Sequence, residues 1–239
     1  MTYRYDSDVH LFYGSFKPKQ GRDSSLSSTN ATILKRNATT AAVANESIVA
    51  WMASHCPTDS RREDYARQLK RYIGVDAYGG CGNLRCAKDT RANGSTERCY
   101  DMIESKYKFY LSFENSICTD YVTEKFFQIM TRNVVPIVYG GADYSRIAPP
   151  HSYIDARQFE DPKQLADYLL LLDKNDFLYN EYFAWKEKYV VVSGQEDQIL
   201  SGFCNLCRKL HDDNKPKVYS QLVNQWLPEN QCKSPKAFN

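Results

Sequence analysis

Short apolar runs alternate along this chain with longer stretches in which apolar residues recur every three or four positions. Residues 48–54 (Ile-Val-Ala-Trp-Met-Ala-Ser), 75–78 (Val-Asp-Ala-Tyr), 108–113 (Lys-Phe-Tyr-Leu-Ser-Phe) and 134–139 (Val-Val-Pro-Ile-Val-Tyr) read as strands, and Tyr153 and Ile154 open a short fifth. Helical spacing falls at 61–73, where Tyr65, Leu69 and Tyr72 share a face, and at 100–106, 121–132, 162–174, 176–188, 198–211 and 217–226. Residues 81–99 are rich in Gly, Asn and Cys and read as a loop. Residues 23–46 are rich in Ser, Thr, Asn and Ala without periodicity and read as a linker. Strand and helix alternate, which predicts an α/β fold with a parallel sheet covered by helices on both faces. Ligands of such sheets bind at the carboxyl ends of the strands. That rule places residues 54–61, 115–125 and 140–146 along one functional edge.

The strand-to-helix junction at 113–125 carries the most chemistry. Val122, Phe126 and Ile129 fall on one helical face, and Tyr121, Glu124, Lys125 and Gln128 fall on another. A helix start that follows a strand attracts anions through its free N–H groups, and Lys125 adds a full positive charge suited to a diphosphate. Glu124 does not help a phosphate and needs another task, such as holding sugar hydroxyls. A sugar nucleotide offers both groups. The plain alternative is an amphipathic helix with a solvated Glu/Lys face, which the pattern alone leaves open.

Composition narrows the class. Hydrophobic content of 42% and charged content of 25% are those of a soluble globular protein. The formal net charge is +2 with Lys and Arg dispersed, so nothing argues for a nucleic-acid partner. No apolar run approaches the roughly 20 residues a membrane span needs, and the N-terminus does not read as a signal peptide. Yet Asn30, Asn37, Asn45 and Asn93 head N-glycosylation sequons, and eight cysteines suit an oxidising compartment. These signals agree if the chain is part of a longer secretory-pathway protein.

The segments Phe113-Glu114-Asn115-Ser116 and Tyr121-Val122-Thr123-Glu124-Lys125 together resemble the signature of the α1,3-fucosyltransferases that use GDP-fucose, glycosyltransferase family 10. The resemblance runs in order along nearly the whole chain. It includes Tyr3-Arg4-Tyr5-Asp6-Ser7-Asp8, Tyr13-Gly14, Arg61-Arg62-Glu63-Asp64-Tyr65, Val135-Pro136-Ile137-Val138, Ser152-Tyr153-Ile154, residues 179–185 and Cys204-x-x-Cys207. It implies a GT-B fold, with most of this chain forming the Rossmann-like C-terminal domain. Residues 1–46 would be the end of the N-terminal domain plus a glycosylatable linker, 47–211 the GDP-fucose-binding domain, and 212–239 a C-terminal helix and tail. It implies a type II Golgi protein facing the lumen, anchored through an N-terminal segment outside this chain. It implies an inverting enzyme that moves L-fucose from GDP-fucose to the 3-hydroxyl of N-acetylglucosamine in an N-glycan or related acceptor, with its base upstream of Met1. The cysteines of 81–86 and Cys118 lean towards enzymes of the N-glycan core.

The same resemblance assigns roles. Arg61 and Lys125 are expected to grip the diphosphate, Glu124 to contact fucose without being the base, and Asn115 and Tyr121 to line the nucleotide. Arg62 is the rival of Arg61, but its register against Tyr65 favours Arg61. Arg4 and Tyr13 are further donor-side candidates. Asp6-Ser7-Asp8 spells D-x-D, which in other glycosyltransferases binds a divalent metal; in the resembling family it is a structural and donor-side motif, so no cofactor is called for. The four histidines show no metal-ligand spacing, and Gly79-Gly80-Cys81-Gly82 lacks the third glycine of a dinucleotide fingerprint. Cys204 and Cys207 are expected to be oxidised, to each other or to distant partners, and a local staple such as Cys86–Cys99 fits the crowded loop. The competing reading is a donor-binding fragment or inactive paralogue without an acceptor site. A third, a disulfide-rich binding protein, leaves the Tyr-Val-Thr-Glu-Lys motif unexplained.

Overall fold

A computed structural model describes residues 1–19, 47–86, 97–193, 195–212 and 215–235. The linker 23–46 and the sequons at Asn30, Asn37, Asn45 and Asn93 lie outside the described residues.

Five parallel strands form the predicted sheet: β2 (Val49–Met52), β3 (Val75–Tyr78), β4 (Phe109–Phe113), β5 (Val135–Tyr139) and β6 (Ile154–Asp155), in the spatial order β3-β2-β4-β5-β6. Every residue of β4 and β5 is buried, as expected of central parallel strands covered on both faces. They pair from Phe109 with Val135 to Phe113 with Tyr139.

Alternation along the strands divides the core. Val49, Trp51, Phe109, Leu111, Phe113, Val135, Ile137 and Tyr139 pack against helices α1 (Arg62–Leu69) and α4 (Pro162–Lys174). On the opposite face, Ala50, Tyr78 and Tyr110 meet Tyr100 and Ile103 of α2 (Glu97–Lys106) and Ile129 of α3 (Glu124–Met130). Pro162 at the start of α4 fits a first turn that needs no N–H there, and Asp161 caps that turn by accepting from the Gln164 amide at 2.9 Å.

Four expectations needed correction. The helix anticipated over 121–132 is only seven residues long and begins at Glu124, so Tyr121 is not on it. The stretch 176–188 breaks into α5 (Asp176–Glu181) and a 3₁₀ turn at Ala184–Glu187. Tyr182 stays in the first core cluster while Trp185 enters the cluster around Phe126 and Phe127, a division that one continuous helical face does not allow. The stretch 217–226 is helical only in α7 (Leu222–Trp226), followed by α8 (Pro228–Gln231). Finally, β7 (Tyr189–Ser193) forms an antiparallel ribbon with β1 (Gly14–Pro18) that the sequence pattern did not reveal.

Disulfides join Cys56–Cys81, Cys86–Cys99 and Cys118–Cys232. The anticipated Cys86–Cys99 staple is present. Cys204 and Cys207 are instead free and exposed on α6 (Gln195–Asp212). The other six cysteines pair among themselves, and the helical spacing sets these two on one side of α6 without joining them.

Candidate functional site

The sheet order reverses direction between β2 and β4, since the chain runs outward to β3 on one side and to β5 and β6 on the other. Such a switch point leaves a crevice at the carboxyl ends of the two strands. A cavity of about 720 Å³ lies there. Its walls come from residues 52–55 at and beyond the end of β2, Tyr78 and Gly79 at the end of β3, Asn115 beyond β4, Arg62 of α1, and Glu124, Lys125 and Gln128 of α3. Tyr13 and Ser193, at the ends of the β1–β7 ribbon, complete one side.

Of the five residues singled out in the sequence, the cavity brings together Asn115, Glu124 and Lys125 and leaves out Arg61 and Tyr121. Arg61 caps α1 with φ of 49°, and its side chain points outward to pair with Asp64 at 2.7 Å. Arg62 takes the cavity wall instead. It belongs to the buried face Arg62, Tyr65, Ala66, Leu69, an i, i+3, i+4, i+7 stripe that was visible in the sequence as an arginine among apolar neighbours. Its guanidinium donates to the Phe113 carbonyl at 2.6 Å and the His55 carbonyl at 3.1 Å, and lies 5.7 Å from the Trp51 ring centroid. Its Nε has no partner, and no carboxylate among the described residues pairs with it. Burial pulls its pKa down, opposed by the charges of Glu114 and Glu63.

Asn115 presents a buried Oδ1 without a partner. Its backbone carbonyl accepts from the Ser60 amide at 2.9 Å, and the Ser60 hydroxyl donates to the Glu114 carbonyl at 2.7 Å, so α1 and the loop after β4 are stitched together. Lys125 places its ammonium 2.7 Å from the Thr123 hydroxyl, 3.3 Å from Glu124 and 3.4 Å from Glu114. With α3 only seven residues long, the positive character of the site comes from the Lys125, Arg62 and Arg85 side chains rather than from the helix.

Tyr121 packs beside the cavity against Tyr3, with ring centroids 5.3 Å apart, and burial raises its pKa. The loop carrying it is held from both chain ends. Asp120 accepts from the Tyr5 amide at 3.1 Å, and Cys118 is bonded to Cys232. Thr119 and Ile117 also exchange backbone hydrogen bonds with Gln231 and Lys233, each at 2.9 Å.

The D-x-D carboxylates are used elsewhere. Asp6 accepts from Arg4 Nε at 2.7 Å, and Asp8 is bonded to Lys217 and Tyr219. These contacts pull both carboxyl pKa values down. Among the described residues no group of three His, Cys, Asp or Glu is arranged to hold a metal.

Residues 43–226 match the family described as Glycosyltransferase family 10 (fucosyltransferase) C-term. Alpha-(1,3)-fucosyltransferase C of Drosophila melanogaster is 40% identical over 248 residues, which cover 98% of this chain and 54% of that protein. Glycoprotein 3-alpha-L-fucosyltransferase A of the same organism is 42% identical over 191 residues, 77% of this chain and 36% of that protein. The chain thus spans about half the length, or less, of these relatives. A crystal structure titled alpha1,3-Fucosyltransferase with GDP-fucose aligns with a TM-score of 0.52 at 18% identity, over 73% of this chain and 49% of that one, which is a likeness of fold.

Proposed function

The chain belongs to glycosyltransferase family 10, and on that premise we propose that it forms the donor-binding half of an inverting α1,3-fucosyltransferase. The observation that carries this reading is that two of the cavity's cations meet at the sheet's switch point. Arg62 and Lys125 face one cavity, and Asn115 offers it a buried acceptor. A diphosphate satisfies both cations with charge-assisted hydrogen bonds. Arg62 takes the role that the resemblance gave to its neighbour. Glu124 stands on the same wall with its side chain 43% exposed, free to meet sugar hydroxyls once Lys125 turns to phosphate. Tyr121 acts from behind the loop by packing on Tyr3.

In this reading GDP-fucose is the donor. The departing GDP is stabilised by Arg62 and Lys125 as the anomeric carbon passes through an oxocarbenium-like state. The acceptor is the 3-hydroxyl of N-acetylglucosamine in an N-glycan, and the reaction takes place in the Golgi lumen. Residues 47–211 form the donor domain, 1–46 the end of a preceding domain plus a linker, and 212–239 a C-terminal helix and tail. Glu124 is the one carboxylate on the cavity wall among the described residues, and its contact with Lys125 suits it poorly to act as base. That favours a base contributed by the rest of a longer protein. It also keeps the second reading, a donor-binding fragment or inactive paralogue, in view.

The test is titration of the 239-residue chain with GDP and GDP-fucose, together with a fucose-transfer assay on an N-glycan acceptor. Binding with transfer far below that of a complete enzyme is expected. Without a wall to hold the acceptor, proximity worth about 7–11 kcal/mol is lost. Turnover equal to a complete enzyme would make Glu124 the base, and absence of GDP binding would overturn the reading.

A further inference from the structure

The geometry points to Glu114 as a positioning residue that sets Lys125 on the cavity wall, an inference that rests on the donor-site reading above. Glu114 follows the last residue of β4 and is 0% exposed. Its backbone N–H extends the β4–β5 ladder to the Tyr139 carbonyl at 2.9 Å, so the residue is fixed to the buried centre of the sheet. Among the described residues, its side chain has hydrogen bonds to Thr123 and Lys125. The Thr123 amide donates to Oε1 at 2.7 Å, the Thr123 hydroxyl lies 3.1 Å from Oε1 and 2.8 Å from Oε2, and the Lys125 ammonium lies 3.4 Å from Oε2.

A buried carboxylate is a costly way to fill space, and an apolar side chain would serve packing alone as well or better. What the carboxylate adds is direction. Lys125 has three ammonium protons and three oxygen neighbours: Thr123 Oγ1, Glu114 Oε2 and Glu124 Oε1. Two of these belong to buried side chains, Thr123 at 2% exposure and Glu114 at 0%. The third, Glu124, is exposed enough to swing away. An arriving phosphate oxygen replaces Glu124, while Thr123 and Glu114 keep the ammonium in place. The same carboxylate also heads the charges that oppose deprotonation of Arg62, so one buried anion serves both cations.

The space behind Glu114 is matched to it. A Cβ at Gly140 would come within 3.3 Å of Glu114 Cγ and 2.7 Å of the Tyr144 hydroxyl oxygen, which is itself buried without a partner. Burial raises the Glu114 pKa, while Lys125 and the Thr123 hydrogen bonds pull it down.

The experiment titrates GDP and guanosine separately into the 239-residue chain and into its Glu114→Gln, Thr123→Val and Thr123→Ser variants. Glutamine fills the same space and still accepts from the Thr123 amide, but it gives the ammonium no counter-charge. GDP affinity should fall by about tenfold or more in Glu114→Gln and in Thr123→Val, the loss expected of a charge-assisted contact, while guanosine affinity holds. Thr123→Ser, which keeps the hydroxyl, should restore GDP binding. Unchanged GDP affinity in Glu114→Gln overturns the positioning role and leaves the donor site standing. Equal loss of GDP and guanosine marks a purely structural role and also overturns it. A wild-type chain that binds neither ligand overturns the donor-site reading and this inference with it. Should Glu114→Gln not fold, Glu114→Asp, which keeps the charge but draws it back from Lys125, takes its place: a loss of GDP affinity with guanosine affinity held supports the role, and unchanged GDP affinity overturns it.

Discussion

Two stretches of this chain look alike on paper and behave differently in space. Residues 4–8 and residues 114–125 both mix acids with bases at close spacing. In the first, the charges cancel locally. Asp6 is held by Arg4 and Asp8 by Lys217 and Tyr219, so the motif ties the two ends of the chain together at the surface. In the second, bonding capacity is left over. Lys125 leans on a buried anion and faces the cavity, and Asn115 Oδ1 has no partner. Arg62 joins them from α1 with its Nε unpartnered and, among the described residues, no ion pair. The difference teaches that ligand-binding character resides in what the fold leaves unsatisfied, not in charge density along the sequence.

The sharpest way to break this comparison is to exchange neighbouring arginines. Arg62→Ala should weaken GDP binding by about 1.5–3 kcal/mol, the scale of hydrogen bonds to a charged group. It should also lower stability, because the Phe113 and His55 carbonyls, the first of them buried, lose their donor. Arg61→Ala should change both by less than about 0.5 kcal/mol, as at an ordinary surface position. Calorimetry and thermal melts on the two variants decide between them, and the reverse ranking would return the diphosphate to Arg61.

A pH-dependent effect separates a cation used for binding from one used for structure. Lys186 is half-buried and donates to the Arg132 carbonyl at 2.5 Å and to Asn133 Oδ1 at 3.1 Å, just beyond the end of α3. Burial pushes its pKa down to about 8 from 10.5. Between those values the unfolded chain binds the proton that the folded chain has released. Lys186 therefore makes stability rise with pH across that window, by at most about 1.4 kcal/mol per pH unit. Denaturant melts between pH 7.5 and 10.5 should show this rise in the wild type and its loss in Lys186→Met, with GDP affinity unchanged by the substitution. A flat wild-type profile would mean the ammonium stays charged there.

The smallest change belongs to the surface motif. Asp6→Asn and Asp8→Asn should each alter stability by less than about 1 kcal/mol, because exposed ion pairs contribute little. GDP affinity should be the same for both variants with and without magnesium. A magnesium-dependent loss of affinity in either would place D-x-D in the donor site.

Much of this protein was legible in its sequence because the signals were local. Five apolar runs became five parallel strands, Pro162 opened a helix as its missing N–H allows, and Glu124 and Lys125 reached the sheet's carboxyl edge because a strand-to-helix junction leads there. Long-range facts stayed hidden. Nothing local pairs Gly14–Pro18 with Tyr189–Ser193 or Cys118 with Cys232. Nor did residues 121–123 announce that the helix would wait for Glu124, since Tyr121 leaves the helical face to meet Tyr3 from the other end of the chain.

The sequence by itself determined the periodicities, and with them the α/β class, the likeness to family 10 and the edge at which chemistry gathers. Only tertiary structure decided which arginine enters the cavity, that the D-x-D acids are neutralised at the surface, and that Glu114 is an anchor rather than a solvated acid. Each of those outcomes depends on burial and on partners distant in the chain, and both exist only once the strands have closed into a sheet.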